Sequence, residues 1–214
     1  MAQPDARLQK LLRVFAPDEM VFKQGEMGNS MFLVVEGLIR IFYESPQGQL
    51  LITVLGPGEI VGEKALLQKD PYRRSFCAQA KNQATVMEID FETQKLAYQI
   101  WPDFQSKMFK MVLQRLDKAN KLVMVLQQRD KVDRFGAYVN YYIHEICKNY
   151  PAGTPLSITA NEIKYGANLE KEFVDECIEG LKAAKIFVPN ANGFLIKADL
   201  FENYIPNLRE RMAA

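Results

Sequence analysis

The segment from residue 62 to residue 75, GEKALLQKDPYRRS, combines the residue types that could hold a phosphorylated sugar. The guanidinium of Arg74 can bind two phosphate oxygens at once, and peptide N–H groups at the start of a short helix can face an anion. Glu63 is suited to a different part of such a ligand, because a carboxylate accepts hydrogen bonds from ribose hydroxyls. We therefore predict a binding site for a phosphate and its sugar in this segment.

A simpler interpretation of the segment is a surface loop with two solvated arginines, since such residues are often unpartnered. We favour the binding site because the glycine, the carboxylate and the Arg74–Ser75 pair occur together and in order. Glu59 and Glu63 could also suggest an acid pair, but Gly62 lies between them, and ribose binding or turn stabilisation explains them more simply.

The stretch around this segment, from about residue 19 to residue 90, has the pattern of short β-strands. Apolar residues alternate with others from residue 39 to 43, and a turn at residues 45–48 leads into a second apolar run, residues 50–55. Gly56 and Gly58 then break the strand, where the backbone must approach a ligand closely. A further strand is predicted at residues 84–89, so this region is expected to be an antiparallel roll.

A helix is predicted from Phe104 to Gln128, because apolar residues recur there at steps of three and four. Such a seam either packs on its own domain or meets a second subunit. Further apolar residues broaden the surface beyond one stripe, so we expect one face to contact the roll and the seam to form a parallel homodimer. The seam consists of Phe109, Val112, Leu116, Ala119, Val123 and Leu126.

After a helix over residues 132–148, the chain has the signals of a helix-turn-helix. Thr159 and Glu162 have the spacing of a capping box at a helix start. Asn168 stands where a left-handed turn is needed, a conformation that Asn tolerates. A second helix is predicted from about Glu170 to Ala184, and residues 186–196 are expected to form a hairpin.

In order and approximate spacing, these features resemble the catabolite-activator and fumarate-nitrate regulator (CRP/FNR) family. The resemblance extends over nearly the whole chain and includes residues 22–28, residues 31–37 and the run PGEIVGE at residues 57–63. It implies an α+β fold with an N-terminal antiparallel β-roll that binds cyclic nucleotides, a long dimerisation helix and a C-terminal winged helix-turn-helix. The corresponding domain boundaries are 1–102, 103–131 and 132–214.

The resemblance also implies the ligand and its binding residues. The ligand would be cyclic AMP or cyclic GMP, acting as an allosteric effector. Arg73 is an alternative to Arg74 as phosphate ligand, because the segment between Glu63 and Arg74 is about one residue longer than in the family. Asn120 would reach the purine, although it is equally compatible with an exposed helix position. The implied ligand-binding set is Gly62, Glu63, Ala65, Arg73, Arg74, Ser75 and Asn120.

The predicted recognition helix fits DNA less well than the overall pattern does. Its first ten residues carry five carboxylates against one lysine, and carboxylates are repelled by phosphate oxygens. Lys171, Glu172 and Asp175 are the candidate DNA contacts; Glu172 can accept a hydrogen bond from cytosine, whereas Asp175 stands where an arginine is expected. Gly166 is expected to weaken the preceding helix.

Composition excludes several other classes of protein. The net charge of +1 gives no global attraction to nucleic acid or membrane, and no apolar stretch is long enough for a membrane span. The first eight residues lack a secretory pattern, so we expect a cytoplasmic protein. Three scattered cysteines and one histidine favour neither a disulfide framework, a metal site, an iron–sulfur or haem sensor, nor an enzyme.

Two functions remain. The first is a cyclic-nucleotide-responsive transcription regulator that binds DNA as a homodimer. The second is a cyclic-nucleotide-gated adaptor whose winged domain has exchanged DNA for a protein partner. The architecture favours the first, and the acidic second helix favours the alternative.

Overall fold

Short strands fill most of the chain before residue 91, as the alternating pattern predicts. The structure is a computed structural model that describes residues 9–46, 48–67, 72–100, 102–151, 153–191 and 193–204. Residues 1–8, which were searched for a secretory pattern, lie outside these residues, as do parts of the turn at residues 45–48, of the 62–75 segment and of the hairpin at residues 186–196. The strands are β1 (Leu12–Phe15), β2 (Met20–Phe22), β3 (Met27–Gly28), β4 (Ser30–Glu36), β5 (Ile39–Ser45), β6 (Gly48–Leu55), β7 (Ile60–Val61), β8 (Tyr72–Arg73), β9 (Cys77–Ala80) and β10 (Ala84–Asp90).

These strands form two four-stranded sheets and one small ribbon. The strand orders are β1-β10-β4-β7, β2-β9-β5-β6 and β3-β8. The ribbon pairs Met27 with Arg73 and Gly28 with Tyr72. It therefore places the chain just before β4 beside the end of the 62–75 segment. The antiparallel roll is therefore confirmed, and β1 is a strand that the sequence pattern did not indicate.

Alternate residues of the first sheet enter two different cores. Phe32 and Val34 of β4 pack with apolar residues of the second sheet, including Phe22 and Ile41. Met31 and Leu33, which alternate with them, pack on the opposite side, in a cluster with Ala97 and Phe104. The period of two along β4 thus covers both faces of this sheet, one with strands and one with helices.

Helices of the first part supply that second cover. They are α1 (Lys64–Leu67), α2 (Phe91–Ile100) and α3 (Phe104–Leu126). Met108 and Met111 of α3 pack against the same cluster as Phe104. The expectation that one face of the long helix contacts the roll is therefore met along this first half of α3.

Contacts within the chain divide it into two compact units. The first is Met1–Glu44 with Leu51–Leu116, and the second is Ser45–Leu50 with Asp117–Ala214. This division falls inside α3, whereas the sequence predicted boundaries at residues 102 and 131, which remain predictions.

The second unit contains the predicted winged helix-turn-helix. Its elements are α4 (Lys131–Tyr141), a π-helical turn (Tyr142–Ile146), a 3-10 turn (Cys147–Asn149), β11 (Ser157–Ile158), α5 (Ala160–Ala167), α6 (Lys171–Ala183), β12 (Phe187–Asn190) and β13 (Gly193–Ile196). Thr159 caps α5 in a capping box with Glu162, and Asn168 ends that helix in the left-handed conformation at φ 50°. β13 lies between β11 and β12 as the wing. The predicted capping box, left-handed turn and hairpin are therefore confirmed, whereas the helix predicted over residues 132–148 is α-helical only to Tyr141.

Gly166 of α5 has a packing role that the sequence did not indicate. It was expected to weaken its helix, but a Cβ at this position would lie 2.0 Å from the ring of Tyr138. Tyr138 belongs to α4 and is 1% exposed, so its ring has little room to move. The glycine therefore allows α4 and α5 to approach each other closely, and its propensity cost is offset by packing.

We expect Gly166→Ala to lower the free energy of unfolding by about 1–3 kcal/mol, because the new methyl group overpacks the contact with Tyr138. The matched control is Gly180→Ala in α6, where a Cβ would meet nothing within 4 Å. Helix propensity alone should make that variant more stable by about 0.5–1 kcal/mol. Chemical denaturation of both variants measures the two effects, and stabilisation by both would show that α4 and α5 can separate freely.

Candidate functional site

A cavity of about 190 Å³ opens in the first unit beside the 62–75 segment. Most of its wall is apolar and comes from β2, β5, β6, β7 and the segment after β8. The polar residues that line it include Glu63, Lys64, Arg74, Ser75 and Arg115. The complete lining is Phe22, Ile41, Ile52, Thr53, Leu55, Val61, Gly62, Glu63, Lys64, Tyr72, Arg74, Ser75, Phe76 and Arg115.

Arg74 forms one end of this cavity and is only 5% exposed. Its Nη2 donates to the carbonyl of Ser30 at 2.7 Å, and its Nη1 donates to the carbonyl of Gly62 at 3.3 Å. The guanidinium carbon lies 4.4 Å from the ring centre of Phe22. Backbone carbonyls and an aromatic face thus hold the guanidinium in one orientation.

Two glycines provide the space that Arg74 occupies. A Cβ at Gly28 would lie 2.2 Å from Nε of Arg74, and a Cβ at Gly62 would lie 2.4 Å from Nη1. Gly62 also has φ +80°, a conformation that other residues adopt at a cost. The backbone on both sides of the guanidinium is therefore specific to glycine.

The charge of Arg74 is held in a poorly solvated place. Burial lowers the pKa of its guanidinium below the ordinary value, while the negative charges of Glu26, Glu88 and Glu63 oppose that shift. Among the residues that the structure describes, no carboxylate forms an ion pair with Arg74. A buried cation without a paired anion strongly favours the binding of an anionic ligand beside it.

Glu63 has a partner that the sequence did not reveal. One of its carboxylate oxygens accepts a hydrogen bond from Arg115 of α3 at 3.0 Å, and Arg115 also donates to the carbonyl of Ile60. Glu63 and Arg115 are partly buried, with side-chain exposures of 19% and 31%. The carboxylate predicted to meet a ribose therefore also binds the long helix.

Ser75 and Ala65 already have hydrogen-bond partners. The hydroxyl of Ser75 is hydrogen-bonded to the hydroxyl of Tyr72, which also lines the cavity. The N–H of Ala65 donates to the carbonyl of Gly62 at 3.0 Å, and Ala65 does not line the cavity. The N–H of Ala65, which was expected to face an anion, is thus already hydrogen-bonded within the protein.

The two alternatives for the phosphate ligand occupy different environments. Arg73 is exposed, donates to the carbonyl of Gly25 at 3.1 Å and does not line the cavity, whereas Arg74 does.

Asn120 is exposed on α3 and belongs to the second unit. Its predicted contact with a base stays a prediction, as do the other ligand assignments.

Several cavity residues were missed in the sequence. Phe22, Tyr72 and Phe76 look like ordinary apolar positions of strands, and nothing local connects Arg115 with residue 63. One signal was available for Arg115, because it is a charged residue among the apolar positions Met111, Val112 and Leu116 of α3. A cation on an otherwise apolar helix face indicates a specific carboxylate partner.

The candidate DNA-binding helix, α6, exposes an acidic surface. Lys171, Glu172 and Asp175 are all exposed, and Lys171 pairs with Asp175 at 3.9 Å. Glu176 and Glu179 are exposed as well, while Val174, Cys177, Ile178 and Leu181 are buried. The excess of carboxylates that the sequence showed in this helix therefore lies on its solvent-exposed side and not in the core.

The three cysteines are buried thiols that form no disulfide, and burial raises the pKa of the Cys177 thiol to about 12. Within the described part of the chain, no group of three or more metal-binding side chains comes together. Nor is any helix there both long and apolar enough to cross a membrane.

Comparison with known proteins agrees with this geometry. Residues 12–94 match the family model of the cyclic nucleotide-binding domain. The cAMP-activated global transcriptional regulator CRP of Salmonella typhimurium is 23% identical over 161 residues, which is 74% of this chain and 76% of that protein. An anaerobic regulatory protein of Haemophilus influenzae is 27% identical over 63% of this chain and 50% of its own length.

Solved structures show the same fold over most of the chain. The c-di-GMP-responsive global regulator CLP of Xanthomonas campestris superposes with a TM-score of 0.68 at 19% identity, covering 90% of this chain and 99% of that one. A CRP-family transcriptional regulator of Thermus thermophilus gives 0.68 at 16% identity, covering 91% and 96%.

The fold and the cavity define a cyclic nucleotide-binding roll followed by a winged helix-turn-helix. Residues 12–94 are matched by a cyclic nucleotide-binding domain, and the chain is similar to CRP-family regulators over most of its length, in keeping with the resemblance. The aligned proteins of Salmonella typhimurium and Thermus thermophilus are both regulators of transcription.

We expect Gly62→Ala to lower the free energy of unfolding by about 2–4 kcal/mol, because it combines backbone strain with a clash against Arg74. The matched control is Gly58→Ala, which has a similar φ of +88° but nothing within 4 Å of the new methyl group. Backbone strain alone should cost the control about 1 kcal/mol in a denaturation experiment. Equal losses in both variants would mean that Arg74 moves aside without cost.

Proposed function

We propose that the chain is a cyclic-nucleotide-responsive transcription regulator that binds DNA as a homodimer. The observation that carries this proposal is the buried guanidinium of Arg74 at the end of a cavity, within residues that match a cyclic nucleotide-binding domain. A cyclic phosphate would supply the anion that Arg74 lacks, and the apolar wall would cover the base. The aligned CRP is named a cAMP-activated regulator, which supports this ligand class.

The homodimer is supported by the exposed side of α3. Phe109 is 67% exposed and Leu116 is 56% exposed, although both are large and apolar. Val112, Val123 and Leu126 of the same seam are also exposed. A row of apolar residues at helical spacing is stabilised when a second copy of the helix covers it.

The Glu63–Arg115 ion pair suggests how a nucleotide would affect α3. Ribose hydroxyls that donate to Glu63 would share its carboxylate with Arg115 and so change the contact between the cavity and the helix. A ligand shifts a two-state equilibrium only by its difference in affinity for the two states, and this shared carboxylate would supply such a difference.

The exposed carboxylates of α6 favour a second candidate function. In an adaptor, the acidic surface of α6 would bind a protein partner, and the nucleotide would control that contact. Because Asp175 and Glu176 are solvent-facing, they would repel DNA phosphates if α6 entered the major groove. The choice between cyclic AMP and cyclic GMP, and the expected cytoplasmic location, stay predictions.

Arg74→Ala should abolish detectable nucleotide binding in calorimetry, because it removes the cation that is buried at the end of the cavity. Arg73→Ala is the matched control and should change the dissociation constant by less than about threefold, since that side chain is exposed and already bonded to Gly25. Loss of binding in the Arg73 variant alone would transfer the phosphate contact to Arg73. Both variants should keep the oligomeric state of the unmodified protein.

Asp175→Asn should strengthen binding to duplex DNA at low salt by roughly threefold to tenfold, because it removes one repelled carboxylate and releases Lys171 from its ion pair. Glu92→Gln, which neutralises an exposed carboxylate of α2, controls for the change in net charge. The assay is DNA binding as a function of salt with cyclic nucleotide present. Equal affinities for both variants, or no DNA binding by any of them, would favour the adaptor.

A further inference from the structure

A chain of polar contacts runs from Arg74 to the edge of the first sheet. Nη2 of Arg74 donates to the carbonyl of Ser30 at 2.7 Å, and the hydroxyl of Ser30 donates to Oε1 of Glu88 at 3.0 Å. The other oxygen of that carboxylate, Oε2, pairs with Nε of Arg13 at 3.2 Å. Glu88 is therefore joined to Arg74 through one intervening residue.

Three neighbouring strands hold these residues in place. Arg13 lies on β1, Glu88 on β10 and Ser30 at the start of β4, and these strands are adjacent in the sheet. Ser30 is only 4% exposed, and its backbone pairs with Asp90 of β10. Because the sheet fixes the backbone at both ends of the Ser30–Glu88 contact, the Glu88 carboxylate can move away from Arg74 only by breaking this hydrogen bond.

Three carboxylates act on the charge of Arg74, and they differ in how far they are compensated. They belong to Glu26, Glu88 and Glu63. Glu63 is neutralised in its ion pair with Arg115, and Glu26 is exposed, so that water screens it. Glu88 combines partial burial, at 34% side-chain exposure, with the hydrogen-bonded link to Arg74. Of the three, it is thus the carboxylate best placed to act on an anion at Arg74.

A negative charge held near a buried cation weakens the attraction of that cation for a second anion. We propose that Glu88 sets the affinity of the cavity for its nucleotide: its fixed charge opposes the phosphate at Arg74, and Arg13 moderates that opposition. The inference rests on the proposed nucleotide function and concerns the strength of binding at the same site. Glu88 does not line the cavity, so it acts through Arg74 and not by contact with the nucleotide.

Opposite charge changes in the Arg13–Glu88 pair test this proposal. The ligand is cyclic AMP, or cyclic GMP if that binds more tightly, titrated calorimetrically into the full chain. Glu88→Gln removes the negative charge but keeps an oxygen that can accept from Ser30, and it should tighten binding by about twofold to fivefold. Arg13→Gln leaves the charge of Glu88 unmoderated and should weaken binding by about 1.5-fold to threefold. Since both variants break the same ion pair, a purely structural role would change the affinity in the same direction in both.

A double variant and a control on the same sheet separate this effect from a change in net charge. In the Glu88→Gln background, Arg13→Gln should change the affinity by less than about 1.5-fold, because the carboxylate that Arg13 moderates is gone. Glu36→Gln removes an exposed carboxylate at the other end of β4 from Ser30 and should also stay within about 1.5-fold of the unmodified protein.

Failure of this inference is distinguishable from failure of the nucleotide function. If Glu88→Gln leaves binding unchanged or weaker, its charge does not limit the affinity, and the proposal is overturned while the nucleotide function stands. Unchanged or tighter binding by Arg13→Gln would overturn it as well, because the ion pair would then not moderate that charge. If neither cyclic AMP nor cyclic GMP binds to the unmodified protein or to any variant, the nucleotide function itself is wrong and this inference falls with it.

Discussion

The burial of one arginine is the physical constraint around which the roll is built. Removing a guanidinium from water is costly, and the cost is tolerated only where hydrogen bonds and nearby charge compensate for it. Around Arg74 the compensation comes from the carbonyls of Ser30 and Gly62, from the ring of Phe22 and from carboxylates at longer range. Gly28 is required there because any side chain would overlap the guanidinium.

This arrangement connects the anion site with the long helix over a short path. Gly62 touches Arg74, and the next residue, Glu63, binds Arg115 of α3. A displacement of the chain at Gly62 would therefore act on the contact that holds α3 near the cavity. Because α3 also exposes Phe109 and Leu116, the same helix carries both the contact with Glu63 and the apolar row of the proposed subunit interface.

Local patterns in the sequence predicted most elements, since their causes lie within a few residues. Thr159 and Glu162 form their capping box within one turn, and Asn168 adopts the left-handed turn because of its own side chain. The strands of the roll followed from alternation and from glycine-rich turns. β1 and α2 were missed, because β1 is a strand of only four residues and the reciprocal cap of α2 joins Asp90 to Thr93, without the Glu or Gln of the usual capping-box pattern.

Contacts between distant residues could not be predicted in this way. Arg115 is 52 residues from Glu63, and no local rule joins a helix position to a turn. The packing role of Gly166 was missed for the same reason: propensity describes the isolated helix, whereas the ring of Tyr138 comes from α4. The site was thus predictable where one segment supplies the chemistry, and unpredictable where the fold brings in a partner.

The acidic surface of α6 shows how far architecture and function can be separated. Val174, Cys177, Ile178 and Leu181 bury the inner face of this helix, so the packing of the winged unit does not depend on which charges face the solvent. Carboxylates on the outer face leave the fold intact while they change which partner the helix can approach. The core of the second unit therefore accounts for the fold of the helix-turn-helix, whereas the charges on the outer face of α6 bear on whether DNA or a protein can approach it.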